Sequence, residues 1–372
     1  MMPFGLAAVL ALDQRFEFQL PLILLLAGYA LRRVPGTRLH AGRLAVVLAL
    51  VALYLVANSA AGLMNDAGLA ETWWAAPLRV GLFFVMLAAL ATALSSPRLG
   101  PETVFRTLEW LLLLKILVAI FEVSFILQTG QPRERPLFNI ILSSDSLIGF
   151  RLTSSYDVLF AMLALSSRHM GRRLMMLAVV LVLTETRALL LLSVLFMGWH
   201  LYRERSPLAL ALGLAIPAAS ALLAVSALMA DQSASTRLTQ FEGSSLSDKQ
   251  EQIEAVADLA LSPYLLTGRG LGVSIPNIIR DEARPYSYEA QSIVLLWQGG
   301  LLFFAVYLTV LWVYGTHYRP FGMLLILGLG ALNPTLFALA SAFMLVALGK
   351  LSPAAETPQE HHDPLRDPAV HA

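Results

Sequence analysis

Long apolar runs, separated by short basic or polar segments, set the pattern of this chain. A helix needs roughly 20 apolar residues to cross a bilayer, and shorter runs are accommodated by thinning and snorkelling. Runs of this kind lie at about 17–31, 43–62, 78–95, 109–128, 153–167, 173–184, 187–202, 207–229 and 289–313. The stretch 320–349 is interrupted by Asn333-Pro334. Proline lacks the amide donor and disfavours helix just before it, so this stretch predicts two spans turning near Asn333. Residues 3–12 make a short first span or a surface segment. The pattern predicts an all-α fold, a polytopic bundle of about 11–12 transmembrane helices.

Composition strengthens that reading. The chain of 372 residues is 57% hydrophobic and 14% charged, where a soluble domain carries roughly 25% charged residues. Most of its length must be solvated by lipid. The N-terminal stretch MMPFGLAAVLAL has no basic leader and no small-residue cleavage site, and reads as a membrane segment instead of a removed signal. The net charge of +1 is uninformative, because membrane proteins sort charge by side. No basic block suited to nucleic acid appears. With no cysteine, disulfides, thiolate nucleophiles and sulfur metal sites are excluded.

The side of each loop follows from its cations. Arg32, Arg33, Arg38 and Arg43, then Arg98 and Arg106, then Arg168, Arg172 and Arg173, then Arg203 and Arg205, then Arg319, then Lys350 fall on one side if each run is one span. That side is expected to be cytoplasmic. The other side receives 63–77, 129–152, the Thr184–Arg187 turn and the long loop 230–288. Four regions result: helices within 1–229, an outer loop at 230–288, helices within 289–350, and a polar cytoplasmic tail at 351–372. The tail's His361-His362 pair reads as a metal ligand or as part of a solvated tail. Within the outer loop, "SLSDKQEQIEAVADLALSP" reads as an amphipathic helix, capped by Ser247 and Gln250 and ended by Pro263. Its apolar positions are Leu246, Ile253, Val256, Ala257 and Ala260.

Charges inside apolar sequence are costly, at least about 2.5–3.5 kcal/mol each on insertion scales. Lys115 and Glu122 share one helix face, about 10 Å apart along the axis. Lys115 reads either as a snorkelling residue or as half of a buried ion pair. In "VLTETRALLLL", Glu185 and Arg187 stand where a turn would ordinarily use glycine, asparagine or proline. They form a local pair, or Arg187 faces an outward cavity that takes an anion. "GFRLTSSYD" places Arg151 among hydroxyl side chains just before a span, as an interface anchor or an oxyanion ligand. The outer loop adds Arg237, Lys249, Arg269, Arg280 and Arg284. Several cations on one face suit a phosphate-bearing ligand, because arginine grips phosphate through parallel hydrogen bonds. "GRGLGV" at 268–273 lacks the flanking strand and helix of a dinucleotide fingerprint. It reads as a tight turn with exposed amides, open to phosphate.

These stretches, with "KQEQIEAVADLALSPYLLTGRGLG" and "YSYEAQSIVLLWQGGLL", resemble the O-antigen ligase and O-antigen polymerase family of bacterial membrane glycosyltransferases. The resemblance covers roughly 145–310 and extends to the other spans in topology. Family ligases commonly have a histidine-asparagine pair where this chain has Glu289-Ala290, and Thr186 stands in place of the usual serine before Arg187. The loop-helix arginine of the family falls on Lys249, with Arg237 as the alternative. The absent histidine favours a polymerase over a ligase. The resemblance implies a GT-C-like fold in the bacterial cytoplasmic membrane that elongates a polyprenyl-diphosphate-linked glycan on the outer face. Arg187, Arg151, Arg269 and Lys249 or Arg237 would then hold the diphosphate, without a metal or other cofactor. Glu289 would be the base, or else a plain helix cap. The implied partners are the lipid-linked donor, a glycan acceptor, membrane lipid, and a chain-length regulator or flippase of the same pathway. The alternatives are ligation of finished glycan to a lipid or protein, and a non-enzymatic lipid or polysaccharide transporter.

Overall fold

The computed structural model describes residues 2–11, 21, 25, 37–64, 75–94, 100–130, 139–142, 148, 150–154, 156–165, 169–204, 251–254, 256–257, 262–273, 275, 291–314, 319–332 and 336–351. The runs predicted at 17–31 and 207–229 and the tail beyond 351 lie outside these residues, apart from positions 21 and 25. The described chain is mostly helical: α1 (Met2–Ala11), α2 (Thr37–Met64), α3 (Ala75–Leu94), α4 (Pro101–Thr129), α5 (Met170–Thr184), α6 (Arg187–Glu204), α7 (Gln291–Tyr314), α8 (Arg319–Leu332) and α9 (Leu339–Leu348). Among the described residues, two helical stretches, Pro101–Thr129 and Gln291–Trp312, are long and apolar enough to cross a membrane. The remaining apolar helical stretches are shorter, among them Ala76–Ala91 and Ala188–Leu201.

The two faces of α4 differ in a way that suits a helix long and apolar enough to cross a membrane. Leu113, Leu117, Ile120 and Phe121 form one exposed stripe. Leu108, Leu111, Lys115, Ala119 and Glu122 form the buried one, and it holds both charges. In water the stripes would be exchanged, with the charges outside. The first turn of α5 is tied to the N-terminal part of α4 by Arg172–Glu109 at 3.2 Å and Arg173–Glu102 at 3.8 Å. The Arg173 guanidinium also lies 3.5 Å from the centre of the Phe105 ring.

Three departures from the sequence reading have physical causes. The fold is not purely α. β1 (Asn139–Leu142) pairs antiparallel with β2 (Phe150–Thr153), placing Arg151 opposite Ile141. The run at 153–167 is not a spanning α-helix but a nine-residue 3-10 segment, Asp157–Leu165. At roughly 2.0 Å per residue it covers about 18 Å, well short of a bilayer core of about 30 Å. It is buried along almost its whole length against α6, α5, α4 and α9. Hydropathy rises equally for a segment wrapped in protein and one wrapped in lipid. The third departure is a break in α7, which is two helices joined at Gly300 (φ 66°, ψ −175°) within the stretch long and apolar enough to cross a membrane.

The rest packs around this frame. α9 is buried throughout and packs on α3 and α8. α8 and α9 lie on either side of Asn333-Pro334. Within 230–288, residues 251–254 and 256–257 are helical, while Ser247 and Gln250 fall outside the described residues. The buried face of this helix runs through Gln252 and Val256, not through Ile253 and Ala257 as the hydrophobic pattern predicted. Gln252 is fully buried, and Ile253 and Ala257 are exposed. Val256 sets the face by packing against the cluster of Ile275, Val294 and Trp297.

Candidate functional site

Three local constructions arise where the sequence places its chemistry. The first anchors Arg151. Lys115, with no exposed surface, forms an ion pair with Asp157 and donates to Ser154 Oγ at 3.0 Å. Ser154 donates its amide to Asp157 Oδ2 at 2.8 Å and its hydroxyl to Oδ1. The Lys115 ammonium also sits 5.5 Å from the centre of the Tyr156 ring. This closed ring of contacts settles the choice for Lys115: it is half of a buried pair and does not snorkel. It pins the start of the 3-10 segment to α4. Arg151, three residues upstream on β2, is thereby held and is buried. β2 in turn packs on α5.

The second construction is the turn between α5 and α6. Glu185 closes α5, its amide donating to Leu181 O at 2.9 Å, with φ 45° and ψ 39°. A non-glycine residue in this left-handed region costs about 1–2 kcal/mol, and Glu185 is also buried. Thr186 Oγ1 donates to Thr184 O at 3.2 Å. Arg187 is the first residue of α6, and its side chain lies outside the described residues.

The third construction is the most complete. The break at Gly300 leaves backbone groups of α7 without helical partners, and the turn at 262–273 supplies them. Arg269 N–H donates to Trp297 O at 3.0 Å, and Gly270 N–H to Gln298 O at 2.8 Å. Leu302 N–H donates to Leu266 O at 3.1 Å. α2 completes the set. Tyr54 OH donates to Gly299 O at 2.6 Å. Asn58 donates to Thr267 O at 3.0 Å and accepts from Leu271 N–H at 2.6 Å. Gln298 Nε2 closes the turn on Val273 O at 3.0 Å.

Glycine is required here by contact as well as by conformation. A Cβ on Gly268 would stand 2.2 Å from Gln298 O, and one on Gly270 would stand 2.2 Å from Gly62 Cα. Both residues have positive φ. Most amides of the "GRGLGV" turn are therefore not open to phosphate. The amides of Gly268, Arg269, Gly270, Leu271 and Val273 all donate to protein oxygens. What the turn does present is the Arg269 side chain, half-buried, its guanidinium 4.8 Å from the Tyr264 ring centre and 4.9 Å from that of Trp297. The Trp297 indole N–H is buried with no acceptor, which costs about 1–3 kcal/mol.

Of the site residues read from sequence, Arg151 and Arg269 are placed with their side chains. Arg151 belongs to the hairpin on α5, and Arg269 to the turn on α7 and α2. Glu289, Lys249 and Arg237 lie outside the described residues. Two residues after Glu289, Gln291 Oε1 accepts from Leu336 N–H at 2.7 Å, and Ser292 Oγ donates to Leu327 O at 2.9 Å. These bonds fix the start of α7 on the turn between α8 and α9. Tyr54, Asn58, Trp297 and Gln298 were not singled out from sequence. Their signal was polar atoms inside apolar runs, beside the Gly299-Gly300 pair.

Comparison with family models, with curated proteins and with solved structures finds no match for this chain.

Proposed function

We propose that the chain is a polytopic membrane glycosyltransferase of about 11–12 spans. In this reading it joins polyprenyl-diphosphate-linked oligosaccharide units on the outer face of the bacterial cytoplasmic membrane, as an O-antigen or exopolysaccharide polymerase. The observation that carries the reading is the outer-loop turn seated in the break of α7 with a half-buried arginine on it. Irregular backbone at membrane depth persists where it is buried in protein or lines a cavity, and a cation held there suits the phosphorylated head of a lipid. The buried Arg151 hairpin and the Glu185–Arg187 turn add a second cationic region in the same reading.

The chemistry is a substitution at the anomeric carbon. An acceptor sugar hydroxyl forms the new C–O bond as the bond to the diphosphate breaks. The electron pair leaves with the diphosphate, and the hydroxyl proton passes to the base, assigned to Glu289. Arg151, Arg187, Arg269 and Lys249 or Arg237 stabilise the charge that develops on the leaving group, and they can do so without a metal. Arg187→Ala is expected to abolish chain elongation while the protein stays folded, and Glu289→Gln to slow it at least about 100-fold. Glycan ladders from purified protein read both. Normal turnover by Glu289→Gln would return that residue to a capping role.

The orientation has its own check. Because the chain has no cysteine, a single thiol introduced as Glu251→Cys, at an exposed position of the loop helix, reports its side alone. Membrane-impermeant maleimide should label it from outside intact spheroplasts. Labelling only after lysis would invert the topology.

A further inference from the structure

We propose that the turn at 262–273 is a re-entrant element, which dips into the bilayer beside α7 and presents Leu266 to lipid acyl chains. Depth along α7 is the first observation. Leu302 lies at the middle of the apolar stretch Gln291–Trp312, eleven residues from its start and ten from its end. Its amide donates to Leu266 O at 3.1 Å. At 1.5 Å per residue the stretch is about 33 Å long, close to a bilayer core of about 30 Å. A turn bonded at its middle lies well inside the hydrocarbon. α2 measures the same depth from a second helix. Tyr54 and Asn58 stand about 15 and 9 Å along the axis before its end at Met64. They bond to Gly299 O, and to Thr267 O and Leu271 N–H. Both arms of the turn return to one end of α7. Ile275 clusters with Val294 and Trp297, and Tyr264 packs on the same cluster. The chain thus passes the first turns of α7, reaches Leu302 and comes back.

The hydrogen bonding fits a segment withdrawn from water. Lipid supplies neither donors nor acceptors, so irregular backbone persists at that depth when protein satisfies it. From Gly268 to Leu271 every amide donates to a protein oxygen. The Arg269 guanidinium is covered by the rings of Tyr264 and Trp297, at 4.8 and 4.9 Å. The tip is the opposite. Leu266 is 58% exposed, and Leu302, bonded to it, is 51% exposed. Together they continue one apolar surface at the middle of the stretch, which suits acyl chains and not water. The inference rests on α7 spanning the membrane, as the proposed function has it, and not on glycosyl transfer.

The experiment is spin-label accessibility on the full-length protein in phosphatidylcholine nanodiscs. The chain has no cysteine, so Leu266→Cys, Leu302→Cys and Glu251→Cys each carry the label at one known place. Oxygen concentrates in hydrocarbon, whereas a nickel chelate stays in water. Glu251 is exposed on the helix at 251–254 and gives the water reference. Labels at Leu266 and Leu302 should both respond to oxygen and lose contact with nickel. Thr267→Cys, at the adjoining exposed position, repeats the reading where Leu266→Cys fails to fold. Nickel contact at Leu266 with Leu302 protected overturns the inference and leaves the span intact. Protection of Leu266 from both reagents overturns the lipid contact. Nickel contact at Leu302 removes the membrane-spanning reading of α7, and the re-entrant turn with it. A protein that gives the expected pattern yet elongates no donor leaves this inference standing and removes the proposed activity instead.

Discussion

Lys115→Met is expected to destabilise the protein by about 3–5 kcal/mol, because it leaves the Asp157 carboxylate buried and uncompensated. Asp157→Leu, which strands the ammonium, should cost a similar amount. The double variant Lys115→Met/Asp157→Leu should recover most of the loss, since an apolar pair of similar volume often replaces a buried ion pair at little cost. Denaturant unfolding in detergent micelles gives the four corners of the cycle. The expectation follows from the full burial of Lys115 and its contacts with Asp157, Ser154 and Tyr156. It carries a functional corollary, because Ser154 directly follows the strand that holds Arg151. Strictly additive losses would mean that the two charges do not support each other.

The second large effect is expected at Gly268. Gly268→Ala meets Gln298 O at 2.2 Å and must also adopt φ 72°. The left-handed backbone costs about 1–2 kcal/mol and the collision about 1–3 kcal/mol more, so a loss of roughly 3 kcal/mol follows. The turn at 262–273 should leave its seat in α7 and become open to proteolysis. Gly130→Ala is the matched control. It has φ 71° with nothing within 4 Å of the added carbon, so only the backbone cost of about 1–2 kcal/mol applies. Equal effects at the two glycines would show that the turn is not seated as described.

How much of this was readable in advance depends on what each residue touches. The positions of α2 to α6 and of α7 to α9 followed from apolar runs, because lipid and protein interiors both exclude charge. The 3-10 segment at Asp157–Leu165 did not follow, since its surroundings come from four other elements. Gly299-Gly300 was visible as a pair, yet the break in α7 depends on a turn about 30 residues upstream that fills it. Asn58 illustrates the same limit. One amide inside an apolar run indicates that a partner exists, but Thr267 and Leu271 become its partners only through the fold. For Lys115 the sequence left two outcomes, and Asp157 with Ser154 decided between them.

The central claim, glycosyl transfer from a lipid diphosphate on the outer face, is tested most directly with purified protein and a polyprenyl-diphosphate-linked oligosaccharide in proteoliposomes. The predicted result is a ladder of longer lipid-linked glycans with one polyprenyl diphosphate released per unit joined. Donor recovered unextended, with the intact lipid moved from one leaflet to the other, would contradict it.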